Sequence, residues 1–229
     1  MSNSKLIVLF EDNHLLALAK PADVPTMGVS AGNPSLLMMA KDYIKNKYGK
    51  PGNVYLGVVS RLDALATGVI VFARTSKAAA RLSEQLRRGK MEKLYWAIVS
   101  GIPKPSEGKL ENWLRKDERT QKMQITRTKT AGSKQADLSY RVLAKLGRRS
   151  LLEVHLHTGR KHQIRVQLAH FGHPILGDQK YGSKTPFPEG IALHARKLVL
   201  QHPVRKSPIV LEAPVPPVWR DFGIGDVEA

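Results

Sequence analysis

Residues 57–75, GVVSRLDALATGVIVFART, constrain this chain more than any other stretch. Val58 and Val59 close one apolar run, and Val69, Ile70, Val71 and Phe72 form a second. The second run is continuous, β-branched and aromatic, which is the composition of a well-buried strand. Between the runs stands Arg61-Leu62-Asp63, a charged pair flanking an apolar anchor, and Thr67-Gly68 supplies turn chemistry before the next strand. A carboxylate between two buried strands is costly unless it is paired or used. From the residues alone, Asp63 has two readings. It is a turn or capping residue accepting backbone N–H groups, or it is a catalytic carboxylate on a rigid strand end.

The chain around this stretch has 229 residues, 42% of them hydrophobic, enough for one large core or one domain with two lobes. Helix and strand signals are mixed, which excludes a repeat array and a coiled coil. The 37 Lys and Arg outweigh 19 Asp and Glu, for a formal charge of +18. That imbalance favours a polyanionic partner, nucleic acid ahead of membrane. With no cysteine, disulfides, thiolate metal sites and cysteine nucleophiles are excluded. The apolar run before Glu11-Asp12 is only five residues long, too short for a signal peptide, and no run approaches a membrane span. The expectation is a soluble, cytoplasmic protein.

Taken in order, residues 6–10 and 14–19 predict a hairpin across Glu11-Asp12-Asn13. Pro21 and Pro25 exclude a central strand or helix between them. Ser35 caps a predicted helix running to about Tyr48, with Leu36, Met39, Ala40, Tyr43 and Ile44 on one face. Ser76 caps another over 77–88, Leu82 and Leu86 inward, with Gly89 at its stop. Residues 93–99, KLYWAIV, form a strand with Tyr95 and Ala97 on one face. Residues 102–137 are polar, hold short strands near 109–114 and 121–128, and suit a crossover between two lobes. Two antiparallel strands follow at 137–144 and 150–157, with Gly147 in their turn. A late strand covers 191–200, the proline-bearing tail suits an extended segment, and residues 223–229 are expected to fray.

Residues 157–181, HTGRKHQIRVQLAHFGHPILGDQKY, are the second informative stretch. Thr158 is the expected N-cap of a helix over 160–170, and Gly172-His173-Pro174 stops it. Arg165 borders the apolar stripe of Ile164, Leu168 and Phe171. It is either a snorkelling surface residue or a guanidinium at the core edge pairing a carboxylate or phosphate. Histidines 155, 157, 162, 170 and 173 match no standard zinc spacing, so no metal is expected. Asp178 and Glu153 read as structural, Asp178 in a turn after Gly177.

SRLDALATGVIVFART, KLYWAIVSG and HTGRKHQIRVQLAHFGHPILGDQKYG together resemble the RluA-type RNA pseudouridine synthases. LFEDNHLLALAKPADVPT and LHARKLVLQHP extend the likeness over nearly the whole chain, in the family's order and spacing. The resemblance implies an α+β fold: a long, mixed, mostly antiparallel sheet in two lobes flanking a basic catalytic cleft. It implies a single catalytic domain over 1–229, without an S4-type RNA-binding module, acting as a monomer on RNA. The implied reaction converts uridine to pseudouridine, with no metal, redox or nucleotide cofactor. Asp63 falls on the family's catalytic aspartate, Tyr95 on the tyrosine that stacks on the target base, and Arg165 on the arginine that pairs with the aspartate. Arg61 falls on the motif arginine that holds RNA and displaces the target base, and Arg160, Lys161 and His162 are expected to contact RNA. One departure stands out: most RluA-type members carry His before Arg-Leu-Asp, and this chain has Ser60.

Overall fold

The computed structural model describes residues 6–28 and 34–224. In chain order the elements are β1 (Ile7–Glu11), β2 (Leu15–Lys20), α1 (Leu36–Lys47), β3 (Gly57–Val58), β4 (Thr67–Ala73), α2 (Ser76–Arg87) and β5 (Glu92–Ser100). Then come β6 (Glu107–Asp117), β7 (Lys122–Thr126), β8 (Lys134–Leu146), β9 (Arg149–Leu156), α3 (Gln163–His170), β10 (Leu193–Gln201) and β11 (Pro208–Glu212). Short 3-10 turns lie at Gln179–Tyr181 and Pro217–Phe222. This is the expected α+β class with a mostly antiparallel sheet, and the chain divides into two compact units. One comprises residues 1–91 and 195–214, the other 92–194 and 215–229.

In the first unit β1 pairs with β2, β2 with β4, and β10 with β11, all antiparallel. Every residue of β4 is buried, as its unbroken apolar run predicts. Val69, Val71 and Ala73 pack with Leu15, Ala17, Leu198, Leu200 and Leu211 and with Ala78 and Leu82 of α2. Ile70 and Phe72, on the opposite face of the strand, are also inaccessible. Each such side chain contributes about 1.5–3 kcal/mol of burial. Gly68 is part of this strand rather than of a turn before it. Its φ is +116°, and a Cβ there would stand 2.3 Å from the Ala195 carbonyl oxygen, so only glycine lets β10 approach. Ser35 caps α1 as expected, accepting from the Met38 N–H. At α2 the cap lies one residue earlier than the sequence predicts: Thr75 Oγ1 accepts from Ala78 N at 3.1 Å.

The second unit is an antiparallel meander in the order β5-β9-β8-β6-β7. Helix α3 lies on one face. Gln167 Nε2 donates to Leu110 O, Asn112 Oδ1 and Ala136 O at 2.8–3.1 Å, and Val166 packs on Leu114 and Ala136. Residues 102–137 are therefore not a crossover. They form β6, β7 and the start of β8 inside one unit, their polarity reflecting an open outer face. The tail is not simply extended either. It gives β11 and then a 3-10 turn whose Trp219 is buried edge-on against Phe187 and His194. Of the expected frayed end, Ile224 is buried and residues 225–229 lie outside the described residues.

Candidate active site

Asp63 sits on the irregular segment between β3 and β4, half-buried. Its backbone is fastened from two sides. Thr26 Oγ1 donates to Leu62 O at 2.9 Å and accepts from Leu62 N at 3.1 Å, and Ala66 N donates to Asp63 O at 3.1 Å. Lys20, 1% exposed, sends its Nζ to the carbonyls of Pro21, Val24 and Ala64 at 2.7–2.8 Å. Three carbonyls match the three N–H donors of an ammonium. Burial pushes this lysine down to about 7, while Asp23 and Asp63 pull it the other way. One buried cation therefore clamps the loop after β2 to the loop that carries Asp63. Sequence reading passed over Lys20, although a lysine closing an otherwise apolar strand was a visible signal. Arg61, in the same unit, is exposed.

Tyr95, Arg160, Lys161, His162 and Arg165 belong to the second unit. The register Tyr95↔Val154, Tyr140↔Val154 and Gly108↔Tyr140 carries the Tyr95 face across the sheet. Alternation along β6 and β8 places Leu114 and Ala136, which pack on α3, on that same face. Tyr95 and α3 thus share one side. Lys93, two residues before Tyr95, shares it too and approaches Gly159. Burial and the like charge of Arg160 both push its ammonium below the usual lysine range. Two cations crowded beside an aromatic face favour an anionic ligand. Arg160 also donates from Nε to Gln135 O at 2.8 Å, and Lys161 is exposed.

Helix α3 begins later than expected. Thr158 is not its cap: its hydroxyl donates to Gln163 Oε1 at 2.7 Å and accepts from Asp137 N at 2.9 Å. The cap position is His162, in the left-handed region at φ 53°. Arg160 and Lys161 consequently lie in the turn before the helix. Arg165 is 3% exposed, which overturns the snorkelling alternative. Its Nε and Nη2 donate to the two carboxylate oxygens of Asp178, each at 2.7 Å, a bidentate charge-assisted pair. Its guanidinium carbon lies 5.1 Å from the centre of the Tyr181 ring. Met123 N donates to Tyr181 Oη at 3.1 Å, and Tyr181 Oη lies 2.8 Å from His162 Nδ1. Asp178 does stand in a turn, accepting Tyr181 N and Ser183 N on its carbonyl. Its carboxylate, 1% exposed, is also the arginine's counter-ion, which the sequence did not reveal.

In the second unit, an arginine fixed on two of its nitrogens and an aromatic face beside cations suit a polyanionic, base-bearing ligand; in the first, a carboxylate stands on a clamped loop. The comparisons agree. The family model for RNA pseudouridylate synthase matches residues 14–170, and this chain belongs to that family. Its members are isomerases acting on RNA uridine. The chain is 36% identical over 215 residues to the RNA pseudouridine synthase YhcT of Bacillus subtilis (strain 168), covering 93% of this chain and 69% of that protein. It is 34% identical over 226 residues to the ribosomal large subunit pseudouridine synthase D of Xylella fastidiosa (strain Temecula1), covering 92% and 66%. A solved structure, human RNA pseudouridylate synthase domain containing 4, superposes with TM-score 0.79 at 26% identity over 94% of this chain and 91% of that one.

Proposed function

We propose that this chain isomerises one or more uridines of structured RNA, ribosomal or transfer, with Asp63 as its reactive carboxylate. In this reading the C1′–N1 bond breaks, the uracil turns within its pocket, C5 bonds to C1′, and the C5 hydrogen leaves as a proton. Asp63 either adds to the ribose or takes a ribose proton. Tyr95 stacks on the extruded base, worth about 1–3 kcal/mol by analogy with single-strand binders, against a few kcal/mol for unstacking the uridine. Arg165 is the cation that favours ionised Asp63. Arg61, Arg160, Lys161 and His162 contact the RNA, with Lys93 joining them. The protein works as a cytoplasmic monomer without a cofactor. Among the described residues no helix is long and apolar enough to cross a membrane.

The observation that carries the proposal is the fastening of the Asp63 loop by buried Lys20 and Thr26, within a chain that belongs to this family. A carboxylate that served only as a turn residue would need no buried ammonium clamped onto the next carbonyl. The test is tritium release from RNA labelled at C5 of uridine, taken from cells lacking this protein. The intact protein is expected to release tritium and Asp63→Ala to release none. Salt-sensitive RNA binding without release would favour a catalytically decayed RNA-binding protein, the reading to which Ser60 points. Restoring histidine at position 60 would then be the next variant. Free uracil as product would refute the isomerase reading altogether.

A further inference from the structure

The β6–β7 turn holds a groove that the chemistry above does not use. It has a volume of about 580 Å³ and is lined by Arg115, Lys116, Asp117, Glu118, Arg119 and Gln124, among others. Its two acids are occupied within the turn. Asp117 Oδ1 accepts the backbone N–H of Arg119 and Thr120, at 2.9 and 3.2 Å. Glu118 accepts Lys116 Nζ at 2.8 Å and Gln121 Nε2 at 2.6 Å through its side chain and carbonyl respectively. Hydrogen bonding holds both carboxyls below their usual range, Thr120 acting first on Asp117 and Lys116 first on Glu118. The guanidinium groups of Arg115 and Arg119, both exposed, have no hydrogen-bond partner among the described residues. Residues 115–134 carry seven Lys and Arg against these two acids.

The register fixes which way this charge faces. Arg115 pairs with Gln124, and Trp113 with Thr126, on the side of the sheet opposite Leu114, Met123 and Ile125, which pack toward α3. Trp113 adds an aromatic surface on that side, with Lys129 Nζ 5.8 Å from its ring centre. Four inter-strand steps separate β5, which bears Tyr95, from β7. At about 4.8 Å each, that is about 19 Å.

We infer that the β6–β7 groove is a second RNA contact, in which Arg115 and Arg119 hold backbone phosphates of a segment distant from the target uridine. The inference rests on the RNA-modifying reading and adds to it where affinity for a large substrate originates. Tyr95 and this groove lie on opposite faces of the sheet, so a ligand engaging both must pass round the β7 edge and extend well beyond one nucleotide, and the groove selects structured RNA over short fragments. It acts on binding and leaves the chemical step alone. Anionic phosphodiesters of RNA fit better than a lipid surface, because the groove is lined by polar and charged side chains with one bordering tryptophan and no apolar patch to enter a bilayer.

The test uses Arg115→Ala/Arg119→Ala in the full chain, since both residues are exposed and their loss leaves the core untouched. Binding to bulk transfer RNA is titrated between about 50 and 200 mM salt, where the slope of log K against log salt reports phosphate contacts at roughly 0.7–0.9 each. The expected result is a slope smaller by about 1.5 and affinity reduced by roughly tenfold, with tritium release at saturating RNA unchanged. An unchanged slope and affinity would overturn the inference, as would a loss of release at saturating RNA. So would binding to vesicles of anionic phospholipid that is stronger than binding to RNA and lost in the same variant. If the wild-type chain binds RNA but releases no tritium, the functional reading fails while the salt titration still decides the groove.

Discussion

Asp178→Asn tests whether the buried pair with Arg165 is a working part of the site. The substitution keeps the size and one acceptor of the side chain but removes its charge. Both partners are almost fully buried, at 3% and 1% exposure, and joined by two hydrogen bonds of 2.7 Å. Removing one member of such a pair costs about 3–5 kcal/mol, because the remaining charge stays buried. Asparagine retains one acceptor, so about 3 kcal/mol is expected. For a chain of this length that lowers the melting temperature by roughly 6–12 °C. Circular dichroism melts measure it directly. A guanidinium no longer held on Nε and Nη2 also loses its orientation, and tritium release at saturating RNA should fall roughly 100-fold. The discriminating variant is Asp178→Asn combined with Arg165→Met. With both members of the pair gone neither leaves the other uncompensated, so the double variant should cost at least about 1.5 kcal/mol less than the sum of the single changes. A melting point within about 2 °C of the parent in Asp178→Asn, or strict additivity in the cycle, would refute the argument that this carboxylate acts on the arginine.

Lys20→Met removes, among the described residues, the side-chain donor to the carbonyls of Pro21, Val24 and Ala64. At about 1–3 kcal/mol for each group left unsatisfied, with water relieving part, about 3 kcal/mol is expected in urea unfolding, with slower release and unchanged RNA affinity; an unperturbed urea midpoint would count against the clamp. Asp12 gives a pH signature. Against the opposing effect of burial, the N–H groups of His14 and Leu15, His202 Nε2 at 2.8 Å and Arg205 hold its carboxyl at about 2, below the ordinary 3.8. A carboxyl lowered on folding stabilises above its unfolded value, and that contribution is lost as pH falls through the folded one. The urea midpoint of the wild type should therefore drop between about pH 4 and pH 2 by more than that of Asp12→Asn. Parallel curves over that window would refute the assignment.

The parts of this fold that were legible in the sequence are those set by local chemistry. The run 69–72 has no polar residue to place outward, so it had to be a covered strand. Ser35 begins a helix because its hydroxyl reaches Met38 N, three residues on. Gly89 and Gly172 end helices in the left-handed region, with φ of 64° and 91°. Errors arose where a distant group claimed a local one. Thr158 has the right chemistry for a cap, but Asp137 N and Gln163 had already taken its hydroxyl. The polar stretch 102–137 resembles a connector because β6 and β7 bury only one face, and alternation over so short a strand is easily lost among charges.

Helix α3 shows most clearly what composition conceals. Its sequence reads as amphipathic, with Ile164, Leu168 and Phe171 in one apolar stripe and Arg165 at its border. In the structure residues 163–168 are all buried. A helix covered on every side has no solvent to satisfy its polar groups, so each must find a partner within the protein. Gln163 accepts from Thr158 Oγ1 and from Arg160 N and donates to Asp137 O. Gln167 ties β6 to β8 through its Nε2, although its Oε1 is buried without a hydrogen-bond partner among the described residues. Arg165 takes Asp178, thirteen residues further along, where the turn after Gly177 returns the chain to the helix. Aliphatic residues at these three positions would have filled the same space without demanding partners. Retaining three polar groups there costs desolvation that packing alone does not require, and in exchange fixes the guanidinium to one orientation. That is the requirement of a site that must present an arginine, and it explains why the most buried helix of this unit is also its most polar in purpose.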